Sequence, residues 1–112
     1  MTGRANDGFF APVSGFDLPR FAGIPTFMRL PHVPFEHDRF GEVDIGLIGA
    51  PWDGGTTNRP GARHGPRQVR DISTMIRNVN RASGIAPFSL CNCADLGDTP
   101  VNPVDLMDSL AR

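Results

Sequence analysis

The sequence predicts an α/β fold: an incomplete piece of a parallel-sheet domain, made of one βαβ unit and the start of a further helix, behind an irregular proline-rich arm. Three observations carry that reading. A β-rich apolar run occupies residues 43–50, an amphipathic stripe occupies residues 66–81, and a second apolar run occupies residues 88–96. Strand, helix and strand in that order form a βαβ unit, whose strands are parallel and joined by a right-handed crossover. The chain of 112 residues therefore divides into an arm, residues 1–42, and an α/β part, residues 43–112.

In the arm, Pro12, Pro19, Pro25, Pro31 and Pro34 recur too often for a helix, because each removes a backbone donor and fixes φ. Phe9, Phe10, Phe16, Phe21, Ile24, Phe27 and Met28 are threaded through it. Such an arm gains stability by laying its rings on another surface, either its own domain or a neighbouring subunit. The run Val43-Asp44-Ile45-Gly46-Leu47-Ile48-Gly49-Ala50 reads as a buried strand ended by Pro51. A loop rich in Gly, Thr, Asn and Pro follows over residues 52–65. Pro66 suits the first position of a helix, where its missing N–H costs nothing. Val69, Ile72, Ile76 and Val79 then form one apolar stripe, with Arg67, Arg70, Arg77 and Arg81 on the other side and Gly84 as the stop.

The second strand, residues 88–96, turns out through Gly97-Asp98. Asn102 as a cap and Pro103 in the first turn open another helix, with Asp105 near its positive end. That helix carries Leu106, Met107 and Leu110 as far as Arg112. One βαβ unit belongs to a sheet with more strands, so the chain reads as truncated.

Composition excludes several classes. Eleven basic residues against 12 acidic ones give a net charge of -1, without the basic stripe of a nucleic-acid binder. Every basic residue is Arg, which compositional bias explains as well as function does. Thirteen Gly and 11 Pro point to long loops. No secretory leader or apolar run of about 20 residues is present, so a soluble cytoplasmic protein is expected. Cys91 and Cys93, two apart, read as buried structural thiols rather than a disulfide or a metal site.

The informative stretch is Gly49-Ala50-Pro51-Trp52-Asp53-Gly54-Gly55-Thr56-Thr57-Asn58-Arg59-Pro60-Gly61-Ala62-Arg63-His64-Gly65-Pro66-Arg67. It lies between a strand and a helix, at the carboxyl end of the sheet where α/β proteins place ligands. It is not a P-loop, which needs a Lys, nor the glycine pattern of dinucleotide sites. As a whole string it resembles the ureohydrolases of the arginase and agmatinase superfamily, most nearly the bacterial guanidinopropionase and guanidinobutyrase type. Arg20-Phe21-Ala22-Gly23-Ile24-Pro25-Thr26-Phe27-Met28-Arg29-Leu30-Pro31 resembles their N-terminal arm. Asp95-Leu96-Gly97-Asp98-Thr99-Pro100-Val101-Asn102-Pro103 is similar to the segment after their second strand.

That resemblance implies a three-layer α/β/α fold around a parallel sheet and a two-manganese centre. It also implies hydrolysis of agmatine or a guanidino acid to urea and an amine, in trimers or hexamers of identical subunits. Paired metals convert water to hydroxide near neutral pH, which a poorly electrophilic guanidinium carbon requires. The family's ligand motifs, resembling G-G-D-H, D-A-H-x-D and S-x-D-x-D, do not occur in this sequence, and none of His32, His37 and His64 is assigned to metal. His64 is expected to cap the helix or to make a buried hydrogen bond. No catalytic residue is assigned, and this chain alone is expected to be inactive. Asp53, Asn58, Arg59 and Arg63 are the polar candidates of the loop. Of these, Asn58, Arg59 and Arg63 are the candidate substrate-binding residues, since an Arg fork suits the carboxylate of a guanidino acid. The alternatives are a non-catalytic relative that acts by docking on full-length subunits and an unrelated α/β ligand-binding module.

Overall fold

Two adjacent parallel strands, β1 (Ile45–Gly49) and β2 (Cys93–Asp98), organise the chain in a computed structural model that describes residues 7–112. The parallel pairing expected from the strand–helix–strand order is present. On its other edge β2 meets the arm. The Asp95 N–H donates to the Pro31 carbonyl at 2.9 Å, and the Val33 N–H donates to the Asp95 carbonyl at 2.9 Å. The edge of β2 that β1 leaves open is thus partly closed by the chain's own arm.

The arm supplies much of the core. Phe10, Val33 and Ala94 are buried together, with Phe9, Phe40, Val43 and Leu96 packed against them. Ala94 and Leu96 alternate with Asp95, so β2 turns its apolar side chains to Phe10 and Val33 and its carboxylate the other way, to Phe27 and Arg70. The large apolar side chains of the arm divide accordingly. Phe10 and Phe27 are buried, whereas Phe16, Phe21, Ile24 and Phe35 remain exposed.

Each strand is shorter than its apolar run. Val43 donates its N–H to Phe40 in a 3-10 turn, Phe40–Glu42, so β1 begins at Ile45. Pro87 opens a short helical turn, α2 (Pro87–Leu90), where Ser89 Oγ donates back to the Ala86 carbonyl. Residues 88–90 are therefore helical rather than extended, and β2 starts at Cys93 and runs on through Asp98. Cys93 is buried and Cys91 half-buried, both as free thiols, and burial raises the Cys93 thiol above its ordinary value.

The helix α1 spans Gly65–Ser73, not residues 66–81, although Pro66 stands in its first turn as expected. Ser73 Oγ donates to the Arg70 carbonyl and Thr74 Oγ1 to the Asp71 carbonyl, competing with the helical ladder. Beyond them Asn80 closes a turn, accepting from Ala82 and Ser83 on its side chain, and Gly84 serves that turn with a φ of 72°. The helix is also inverted relative to its pattern. Val69, Ile72, Ile76 and Val79 are exposed, while Ser73 is buried and the Arg70 side chain is only 14% exposed. The inward face packs on the 3-10 turn Phe27–Arg29, where Ser73 Oγ accepts the Met28 N–H at 2.8 Å.

Arg70 explains that inversion. Its Nε and Nη2 grip the Asp95 carboxylate at 2.8 and 3.0 Å, its Nη1 reaches Asp98 at 2.7 Å, and its guanidinium lies 4.2 Å from the Phe27 ring centroid. Residues three apart on a regular strand face opposite ways. Here the register slips between Leu47 and Ile48, and Gly97 takes a φ of 91°. This bulge brings Asp98 to the face of Asp95, so one arginine bridges both. Gly97 fits because a Cβ there would strain the backbone and press within 3.2 Å of His32 Nε2.

The last helix, α3, spans Leu106–Ala111 and is capped by Asp105, whose side chain accepts the Asp108 N–H. Asn102 is not its cap. It forms a turn with Val104 and reaches across to Asp108 and Ser109.

Burial by itself raises the Asp95 carboxyl, but the hydrogen bonds from Arg70, Phe27 and Gly97 outweigh it and hold the group below its ordinary value. A depressed folded value gives stability that is present above the unfolded carboxylate value and lost as pH falls through the folded one. Asp95→Asn is expected to destabilise the chain by about 3–5 kcal/mol at neutral pH, by leaving Arg70 without its main partner. Urea denaturation measures this. A change within about 0.5 kcal/mol would place Asp95 with ordinary surface residues.

Candidate functional site

The loop between β1 and α1 is held shut by one carboxylate. Asp53 is 6% exposed, and its Oδ2 accepts the N–H groups of Gly61 at 2.6 Å and Arg63 at 3.1 Å. Its Oδ1 accepts from Arg63 Nε and faces Arg63 Nη2, both at 2.8 Å. Four donors on one acid fold the intervening Gly-rich segment back on itself, and a 3-10 turn, Ala62–His64, leads directly into α1. The Arg63 guanidinium and N–H, followed by the Gly61 N–H, hold the Asp53 carboxyl well below the usual carboxylate range. An ionised, fully engaged acid of this kind is a structural anchor and not a proton acceptor.

Beside this clamp lies a cleft of about 310 Å³ at the carboxyl ends of both strands, lined by Trp52, Asp53, Arg63, His64, Arg67 and Asp98 among others. Gly49 lets the strands close on this point, since a Cβ there would collide with Asp98 and come within 2.8 Å of Pro66 Cβ. The charges of the cleft are unevenly committed. Asp53 pairs with Arg63 and Asp98 with Arg70, whereas Arg67 makes no ion pair or hydrogen bond among the described residues. Arg67 is thus the cation with a free fork, and a carboxylate or similar group of a ligand would find its donors there.

Of the three candidate substrate-binding residues, Arg63 lines the cleft with much of its fork on Asp53. Asn58 and Arg59 are exposed on the loop and do not line it. His64 lines the cleft, but its side chain neither caps α1 nor is buried, contrary to expectation. Gly61, three residues earlier, allows the turn with a φ of 144° and accepts the His64 N–H on its carbonyl, while His64 itself stays exposed. Sequence reading missed Arg67 and Asp98. The position of Arg67 in the first turn of a helix at the strand ends was a usable signal. The position of Asp98 was not, because it depends on the bulge at Gly97.

Among the described residues, no group of three or more His, Cys, Asp or Glu side chains is arranged to hold a metal ion. His37 Nδ1 accepts the Arg39 N–H, and His32 lies beside Gly97. No helix among the described residues is long and apolar enough to cross a membrane.

Fold and cleft together describe an α/β unit with a cleft at the carboxyl end of a parallel sheet, where such folds place their ligands. The sequence profile of the Arginase family matches residues 43–112, the strand–loop–helix–strand portion, and the chain belongs to that family. It is 57% identical to guanidinopropionase of Pseudomonas aeruginosa over 90% of this chain and 30% of that protein. To guanidinobutyrase of the same organism it is 46% identical, over 88% of this chain and 31% of the relative. Among solved structures, proclavaminate amidinohydrolase from Streptomyces clavuligerus superposes with a TM-score of 0.74 at 46% identity. That superposition covers 83% of this chain and 30% of the other. The chain thus has the arginase-type fold of its relatives over about 30% of their length.

Arg63→Gln is expected to raise the Asp53 carboxyl toward its ordinary value, which a carbon-detected NMR titration reads directly. The clamp's contribution is present above the unfolded carboxylate value and fades as pH falls through the folded one. Amide exchange at Gly61 should accelerate in the same variant. An unmoved Asp53 titration would mean that the backbone donors alone hold the carboxylate.

Proposed function

We propose that this chain forms the front part of a cytoplasmic hydrolase that cleaves a guanidino compound to urea and an amine. The observation that carries the reading is the Arginase family match across residues 43–112, which coincides with the unit that builds the loop cleft. The names of the relatives support it: guanidinopropionase, guanidinobutyrase and, at 41% identity, mitochondrial agmatinase of Gallus gallus. The substrate is a guanidino acid rather than agmatine. Its carboxylate faces the unpaired fork of Arg67, beside Arg63 on its Asp53 partner, with Asn58 and Arg59 at the outer rim of the loop. The same unpaired guanidinium would repel the second cation of agmatine.

Hydrolysis of this kind uses a manganese pair, which supplies a hydroxide nucleophile when bound. The described residues do not fit such a pair, for they bring no set of ligands together. The part of this chain is to hold the acid end of the substrate and to shape the loop beside it. Assembly as a homo-oligomer, or association with full-length subunits as the second reading, would cover exposed Ile45, Ile48 and Ile72.

Manganese titrated calorimetrically into the purified 112-residue chain is expected to give no micromolar binding, and guanidinobutyrate no urea. Tight binding with turnover would place a metal centre within this chain.

Substrate choice is tested in a chimera, with residues 43–112 replacing the matching segment of the Pseudomonas aeruginosa guanidinopropionase. The chimera should show a higher kcat/KM for guanidinobutyrate than for agmatine. Arg67→Ala in it should raise KM for the acid about tenfold, the loss of one charge-assisted contact. Equal or better use of agmatine would sink the guanidino-acid assignment.

A further inference from the structure

A second cleft, of about 330 Å³, opens between the arm and the segment that follows α1. It shares no lining residue with the loop cleft. Four arginines line it, Arg20, Arg29, Arg77 and Arg81, and no carboxylate does. This is more than a third of the 11 basic residues, in a chain whose net charge is -1. None of the four makes an ion pair among the described residues.

Arg29 is the telling member. It is only 9% exposed, and its guanidinium makes a single hydrogen bond, from Nη1 to the Leu18 carbonyl at 2.9 Å. Arg20 likewise gives one N–H to the Met75 carbonyl and keeps the rest of its fork. The backbone places Arg29 there deliberately: Met28 and Arg29 are successive left-handed residues, with φ of 54° and 59°. Ser73 Oγ holds the first, and the second accepts the Val13 N–H on its carbonyl. A cation so far removed from water without a counter-charge is unfavourable, and an anion beside it would offset that cost. Arginine forks match planar or tetrahedral oxyanions two donors at a time.

We propose that this cleft is a binding site for a small multivalent oxyanion, a phosphate or a dicarboxylate, separate from the site of the proposed hydrolysis. Arg29 forms its floor, Arg20 one wall, and the exposed Arg77 and Arg81 close over the ligand. The proposal does not depend on the substrate of the loop cleft.

Calorimetry on the full 112-residue chain tests it, with inorganic pyrophosphate and succinate as probes at low salt. One-to-one binding that weakens as salt is raised is expected. The tighter of the two probes decides between a phosphate and a dicarboxylate. The double variant Arg77→Ala, Arg81→Ala alters only exposed side chains and should lower affinity about tenfold or more. Arg29→Lys keeps the charge but removes the fork and should also weaken binding, with circular dichroism confirming an unchanged fold. Arg112→Ala, at the end of α3, should bind like the parent. Absence of binding by both probes, or full affinity in the double variant, would overturn the proposal. So would loss of binding in Arg67→Ala instead, which would move the anion to the loop cleft.

Discussion

The Arg70–Asp95 ion pair is the constraint from which the rest of the described structure follows. Asp95 occupies the middle of β2, 1% exposed, where a carboxylate would be unfavourable without compensation. Compensation comes from several directions at once: the Arg70 fork, the Phe27 N–H of the arm and the Gly97 N–H of its own strand. One side chain thereby ties helix, arm and sheet together. Because the arm also pairs its backbone with Asp95 at Pro31 and Val33, the same residue organises both its faces and its edge. An apolar residue here would pack, but it would specify none of these partners.

The orientation of α1 is a direct consequence. An amphipathic helix ordinarily turns its apolar stripe to the core. Here the buried acid demands a guanidinium, so the helix presents Arg70 and Ser73 to the arm and leaves Val69 and Ile72 exposed. The core proper then falls to the arm, with Phe10 and Val33 against Ala94 on the opposite face of β2. A stripe of exposed apolar residues on a short domain with a small core suits a unit stabilised by further contacts.

Charge is sorted by the same logic. Arg63 is committed to the buried Asp53, and Arg70 to the buried Asp95 and the exposed Asp98, and both act as structure. Arg67, next to them in sequence and space, is free to face a ligand at the strand ends. Arg20, Arg29, Arg77 and Arg81 gather in the second cleft with no acid among its lining residues. The sequence shows eleven arginines of equal standing, and the fold sets these seven in three different surroundings.

The sequence by itself determined the order of the elements, the parallel pairing of β1 and β2, and the family, because these rest on local periodicity and on a contiguous loop string. It also marked the loop at residues 49–67 as the candidate site, since a strand–loop–helix junction is readable from adjacent residues alone. Element ends were less legible. Ser73, Thr74 and Pro87 decide them through local hydrogen bonds and a missing donor that apolar periodicity does not register. Only the tertiary structure decided which arginine enters the interior, that Asp53 consumes Arg63, and that Asp95 and Asp98 share a face. The first two join residues 25 and 10 positions apart, and the third depends on a one-residue slip of register at Gly97. A pattern along the chain reports which faces residues share within one element. Which face wins is set by the partner that the folded chain brings to it.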